Sequence, residues 1–157
     1  MVIEEVINFL KKEPPFQFLD DTTLKSVAGS VSMEFYPRDT VILRQDGPAS
    51  KSLRIIKKGA VKVLMRSEEG EDVAVDYKGE GDNFGFLSLI GKDRQKTSVI
   101  AVDDTICYIL EKEKVLRLLE ISPSFTVTTA FVTSPTRVVN RKRSLLLEKR
   151  LLVCISL

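Results

Sequence analysis

Histidine and tryptophan are both absent from the 157 residues. Without histidine there is no Ser-His or Cys-His nucleophile pair, and no imidazole to ligate a metal or shuttle protons near neutral pH. Cysteine is scarce: Cys107 and Cys154 are too few for a Cys₄ zinc site, show no disulfide framework, and suit a reducing, cytoplasmic location. No run approaches the ~20 apolar residues that span a bilayer. Glu4 and Glu5 interrupt the first apolar stretch where a secretory signal needs a basic start and an apolar core. These absences exclude His-dependent hydrolases and His-ligated metalloenzymes. They favour a binding module over an enzyme, with no catalytic and no metal-ligating residues expected.

What is present is about one domain's length of chain with an uneven charge. The formal charge is +2, but residues 136–157 carry six basic side chains against Glu148, a net of +5, which leaves −3 for residues 1–135. A mildly acidic body thus precedes a basic, leucine-rich tail. Within it Val138, Leu145 and Leu152 fall seven apart, and residues 151–157 are mostly apolar. Such a helix seeks a partner for its apolar face. The tail therefore predicts homodimer formation or docking to a following domain, with a solvated end as the bland alternative. Nucleic acid is disfavoured, because the basic residues are few and no aromatics are interleaved with them.

The hydrophobic pattern divides the chain into four stretches. Residues 1–32 read as helices: Val2, Val6, Ile7 and Leu10 recur at helical spacing up to Pro14-Pro15. Asp20-Asp21-Thr22-Thr23 then offers an N-cap before Leu24, Val27, Ala28 and Val31. Residues 33–110 hold short runs rich in β-branched or aromatic residues, at 33–36, 40–43, 52–56, 60–65, 73–77, 97–102 and 105–110, each bounded by turn residues. About eight such strands point to a β-barrel or jelly roll. Residues 111–132 return to helical spacing through Val115, Leu116, Leu118 and Leu119, with a further helix from Ser124 to about Val132. Residues 133–157 form the basic helix or linker, which Pro135 is placed to open. Gly47, Gly59 and Gly81 are expected in turns that need positive φ, residues 68–72 at a solvated hairpin tip, and Cys107 as a small hydrophobe on a strand.

Three pieces carry chemistry together. They are Val41-Ile42-Leu43-Arg44-Gln45-Asp46-Gly47 with Ser52-Leu53-Arg54-Ile55-Ile56-Lys57-Lys58-Gly59-Ala60-Val61-Lys62-Val63, then Gly81-Asp82-Asn83-Phe84-Gly85-Phe86-Leu87-Ser88-Leu89-Ile90, then Thr97-Ser98-Val99-Ile100-Ala101 with residues 104–110 behind it. In order and spacing, residues 15–130 resemble the cyclic-nucleotide-binding domain family. They look in particular like the bacterial regulatory domains that precede paired CBS domains and a nucleotidyltransferase-like region. The resemblance implies a mainly β fold, an eight-stranded jelly-roll barrel (double-stranded β-helix) with N-terminal and C-terminal helices. It also implies a phosphate-binding cassette for a cyclic nucleotide or related phosphorylated ligand. There, backbone N–H groups at the start of a short helix face the phosphate, an Arg adds a charge-assisted hydrogen bond, and a Glu accepts from the ribose hydroxyl. By this likeness the cassette comprises Phe84, Gly85, Phe86, Leu87, Ser88, Arg94, Gln95, Lys96, Thr97 and Ser98.

Two positions depart from the family's pattern. Counting forward from Phe84-Gly85 puts Phe86 at the ribose-binding Glu position and Gln95 at the phosphate-binding Arg position. Counting back from Val99-Ile100-Ala101 gives the same register. Both departures argue against cAMP binding of the usual kind. Arg94 either reaches the phosphate from one residue away, helped by Lys96, or is a solvated loop charge. Phe86 is either a pocket floor or core, Ser88 and Ser98 either meet a ligand or cap local backbone, and Gly85 lets a ligand approach the chain. The expected function is a sensory or regulatory domain with degenerate ligand contacts. The alternatives are a ligand-free interaction domain of the same fold and a fragment of a transcription regulator.

Overall fold

A computed structural model describes residues 2–91 and 93–126. The expected helix after Ser124 lies within these residues only as a turn at 123–126, and the basic tail lies outside them. Helix α1 (Ile3–Leu10) buries Val6 and Leu10, one turn apart, and carries Glu4 and Glu5 in its first turn, where the helix dipole favours negative charge. A 3₁₀ turn (Phe16–Phe18) leads to α2 (Asp21–Ser30). Asp20 caps α2 as expected: its Oδ1 accepts from the Thr23 N–H at 2.7 Å, and that bond holds its carboxyl below the usual range.

Eight strands follow: β1 (Ser32–Tyr36), β2 (Val41–Leu43), β3 (Ser52–Lys58), β4 (Val61–Arg66), β5 (Asp72–Lys78), β6 (Asn83–Phe84), β7 (Ser98–Ala101) and β8 (Thr105–Glu111). Helix α3 (Phe86–Gly91) sits between β6 and β7, and α4 (Lys112–Ile121) follows β8. The strands make two antiparallel four-stranded sheets in the orders β1-β8-β3-β6 and β2-β7-β4-β5. The jelly-roll topology holds, but the strands do not close into a barrel. The two sheets face each other as a sandwich.

Burial explains why some strands alternate and others do not. The first sheet is covered on both faces. Leu53, Ile55, Tyr108 and Leu110 pack with Val6, Leu10, Leu24, Val27, Val115, Leu118 and Phe125 from the helices. Their strand neighbours Ile56, Cys107 and Ile109 pack with Val61, Val63 and Val99 between the sheets. A strand buried on both faces reads as a continuous apolar run, as residues 106–110 do. Strand β5 is an edge with one solvated face and is largely exposed. The tip at residues 68–71 is solvated as expected. Gly59 and Gly81 have positive φ, but Gly47 does not: the left-handed residue of its turn is Asp46, at φ 64°. Asp adopts that region more readily than most residues.

Candidate functional site

The residues predicted from the sequence to form the cassette fall on β6, Gly85, α3, the loop 93–97 and β7. Phe84 lies in the core between the sheets, opposite Arg54 of β3 in the antiparallel register. Gly85 has φ +89°, and a Cβ there would sit 3.1 Å from Ser50 Oγ and 3.2 Å from the Ser52 carbonyl oxygen. The close approach is therefore made by the protein's own chain. Phe86 is 5% exposed and belongs to the core shared by the first sheet and the helices, so hydrocarbon stands where the ribose-binding Glu was expected and the core reading holds. Leu87 is exposed and Ser88 buried.

Gln95, at the position expected to hold the phosphate-binding Arg, is 6% exposed. Its Nε2 donates to Ser88 Oγ at 2.7 Å, and the same oxygen accepts from the Ser50 N–H at 3.1 Å. The Gln95 backbone pairs with the 44–50 loop in both directions, donating to the Gly47 carbonyl (3.0 Å) and accepting from the Asp46 N–H (2.7 Å). Ser98 Oγ accepts from the Gln45 N–H at 2.9 Å. Arg94 is exposed, and its Nη1 donates to the Asp46 carbonyl at 3.3 Å, the loop-charge reading. Lys96 is exposed and Thr97 half-buried, and neither side chain makes a hydrogen bond or ion pair among the described residues. The backbone N–H groups of Phe86, Leu87 and Ser88 donate to no acceptor among the described residues, as the opening turn of a helix leaves them.

Sequence reasoning assigned no role to a polar chain that runs into this site from β1. Tyr36 donates to the Glu34 carboxylate, Arg54 Nε donates to the Tyr36 hydroxyl at 3.0 Å, and Arg54 Nη1 donates to Ser50 Oγ at 3.2 Å. Ser50 Oγ in turn donates to the Ser52 carbonyl at 2.6 Å. Burial, and then the bond to Glu34, pushes the Tyr36 phenol up to about 12 against the partial relief from Arg54. The folded protein thus keeps a proton that the unfolded chain releases near pH 10. The associated stability is present below that pH and falls as pH rises to about 12. Ultraviolet titration of the wild type against Tyr36→Phe is expected to isolate one phenol ionising near pH 12. A difference curve centred near 10 would refute the burial. Cys107 behaves as the expected hydrophobe, fully buried with its thiol pushed up to about 12 by desolvation.

Among the described residues no cluster of His, Cys, Asp and Glu is fit to hold a metal, and no helix is long and apolar enough to cross a membrane. A family model for the cyclic nucleotide-binding domain matches residues 33–122. The cGMP-dependent protein kinase isozyme 1 of Drosophila melanogaster is 31% identical over 74% of this chain, and the cAMP-dependent protein kinase regulatory subunit of Candida albicans is 28% identical over 74%. The chain spans 16% and 24% of those two proteins. A regulatory subunit of a cAMP-independent protein kinase A from Trypanosoma cruzi, solved bound to guanosine, superposes with a TM-score of 0.75 at 23% identity. That match covers 94% of this chain and 50% of the other.

Proposed function

The chain belongs to the cyclic nucleotide-binding domain family, and from that premise we propose that it is a non-catalytic regulatory domain in signal transduction. Its cassette takes a small nucleotide-like ligand without the family's two charged contacts. The observation that supports this reading is Gln95: at the position where the resemblance expects the phosphate-binding arginine, it is buried and bonded to Ser88, near the N–H groups of Phe86 to Ser88, which have no acceptor among the described residues. The cassette keeps its shape and its neutral donors but lacks the cation there. Ligand occupancy would act by favouring one arrangement of α4 and the chain beyond it, which requires different affinities for the two arrangements. The same reading places the protein in the cytoplasm. It assigns homodimer formation or docking to a following domain to residues 136–157, on their composition alone.

One observation favours a second reading. Ser50, Ser88 and Gln95 satisfy one another, so the cassette is stable as a closed structural element and the domain could serve protein interaction with no ligand. Calorimetry with cAMP, cGMP, cyclic dinucleotides, AMP, ATP and guanosine separates the two. The wild type is expected to bind at least one compound and to bind cAMP weakly. Gln95→Arg is expected to tighten cAMP about tenfold to hundredfold, the worth of one charge-assisted hydrogen bond. No heat with any compound, and no gain from Gln95→Arg, would leave the interaction reading standing.

A further inference from the structure

Arg54 is a charge in an apolar setting. On β3, Leu53 and Ile55 face the helices, so Arg54 and Ile56 face the interior between the sheets, and Ile56 is fully buried there. In the antiparallel register Arg54 lies opposite Phe84 on one side and Ile109 on the other, both buried between the sheets. Arg54 itself is half-buried. Removing a cation from water is costly unless a counter-charge answers it, yet none of the ion pairs among the described residues involves Arg54. Among the described residues its charge meets a carboxylate only at one remove, through the Tyr36 hydroxyl to Glu34. Two of the five guanidinium N–H donors are accounted for, on Tyr36 and Ser50.

Its position matters as much as its charge. Ser50 Oγ, which Arg54 Nη1 reaches at 3.2 Å, lies 3.1 Å from where a Gly85 Cβ would stand. The Ser50 N–H bonds the hydroxyl of Ser88, on which Gln95 also rests. The cation therefore approaches the cassette from β3, on the side of Gly85, whereas the family places it at the Gln95 position.

We propose that Arg54 is the anion contact of this cassette, the positive charge having moved from position 95 to β3, and that the ligand is a nucleotide whose phosphate Arg54 meets on the Gly85 side. This rests on the ligand-binding reading given above and adds the residue that confers phosphate selectivity. A guanidinium so held selects phosphorylated ligands over the matching nucleosides, and its fork geometry is not reproduced by lysine.

Calorimetry of cAMP, cGMP and AMP against adenosine and guanosine tests it in wild type, Arg54→Gln, Arg54→Lys and Arg54→Gln/Gln95→Arg, with circular dichroism as the fold control. The expected result is a wild type that prefers a nucleotide to its nucleoside. Arg54→Gln should lose about tenfold to hundredfold for the nucleotide alone. The double variant should recover nucleotide affinity with no gain for the nucleoside, whereas a merely structural role for Arg54 would lower nucleotide and nucleoside affinity alike in Arg54→Gln. Nucleotide binding unchanged in Arg54→Gln overturns the assignment and leaves the ligand-binding reading intact. A wild type that binds none of these compounds, nor ATP or cyclic dinucleotides, overturns both. Should Arg54→Gln fail to fold, the guanidinium resonance of Arg54 in the ¹⁵N-labelled wild type decides. It moves on adding the nucleotide and not the nucleoside if the proposal holds, and an unmoved resonance refutes it.

Discussion

Phe86→Glu is expected to unfold the domain, although it restores the residue type of the family's ribose contact. Phe86 is 5% exposed and shares a core with Leu53, Leu89, Tyr108 and Leu110. Truncating a buried Phe to Ala costs about 3–5 kcal/mol, and a domain of this kind has only ~5–15 kcal/mol in total. Glutamate loses the same packing and adds a carboxylate to an apolar cluster. That carboxylate must either stay charged without a partner or take up a proton, and each route costs several kcal/mol more. Thermal melting of Phe86→Leu, Phe86→Ala and Phe86→Glu should rank in that order. Phe86→Ala should melt roughly 10 °C or more below the wild type, and Phe86→Glu should show no cooperative transition. A Phe86→Glu protein that melts within a few degrees of the wild type would mean that the side chain is not in the core.

The two departures from the family's pattern are thus unequal. Phe86 has been absorbed by the core, so the ribose contact cannot be returned by one substitution. Gln95 belongs to neither apolar cluster and is bonded to Ser88 on the loop between α3 and β7, so a polar or cationic side chain there does not enter the hydrocarbon core. A gain of cAMP affinity through position 95 is compatible with the fold, and one through position 86 is not.

Which parts of this were legible in the sequence follows from the range of the interactions concerned. Local signals were: the Asp20 cap, the helical spacing through Val6 and Leu10, and the seven apolar runs that became strands other than β6. Strand β6 has two residues, Asn83 and Phe84, too short for any alternation to register. That the strands form two sheets and not a closed barrel depends on pairings such as β1 with β8, which are remote in sequence. The register of Phe86 and Gln95 could be counted because no gap separates the two ends of the cassette. The turn of Gln95 onto Ser88 could not, because it depends on the 44–50 loop packed against both. Arg54 had a signal that was not used. With Leu53 and Ile55 on one face and Ile56 on the other, both faces of β3 are apolar, so a cation within the run must be partly buried. Its partner Tyr36 is 18 residues away, which hides the contact from any local reading.

Alanine at two glycines should separate stability from ligand affinity. Gly59, in the turn between β3 and β4, has φ +97°, and a Cβ there would lie 2.6 Å from the Asp104 carbonyl oxygen and 2.8 Å from Thr105 Cα. Those atoms cannot yield cheaply. The Val102 N–H donates to the Ala60 carbonyl at 2.9 Å and Thr105 Oγ1 donates to it at 3.1 Å, tying the turn to the β7–β8 connection. Backbone strain of roughly 1–3 kcal/mol then adds to an overpacking cost of about 1–3 kcal/mol. Alanine at Gly85 would carry similar strain at φ +89°, but its Cβ would stand 3.1 Å from Ser50 Oγ and 3.2 Å from the Ser52 carbonyl oxygen, each of which need give by only a few tenths of an ångström. Gly85→Ala should therefore cost about 1–3 kcal/mol, most of it backbone strain. The nearer oxygen it displaces, however, is the one that Arg54 holds beside the cassette. Gly59→Ala should show the larger fall in denaturation midpoint with unchanged ligand affinity in the folded fraction. Gly85→Ala should show the smaller fall and the larger loss of affinity. Equal losses of affinity in the two variants would place the ligand away from Gly85, and a Gly59→Ala protein as stable as the wild type would mean that the β3–β4 turn can open without disturbing its neighbours.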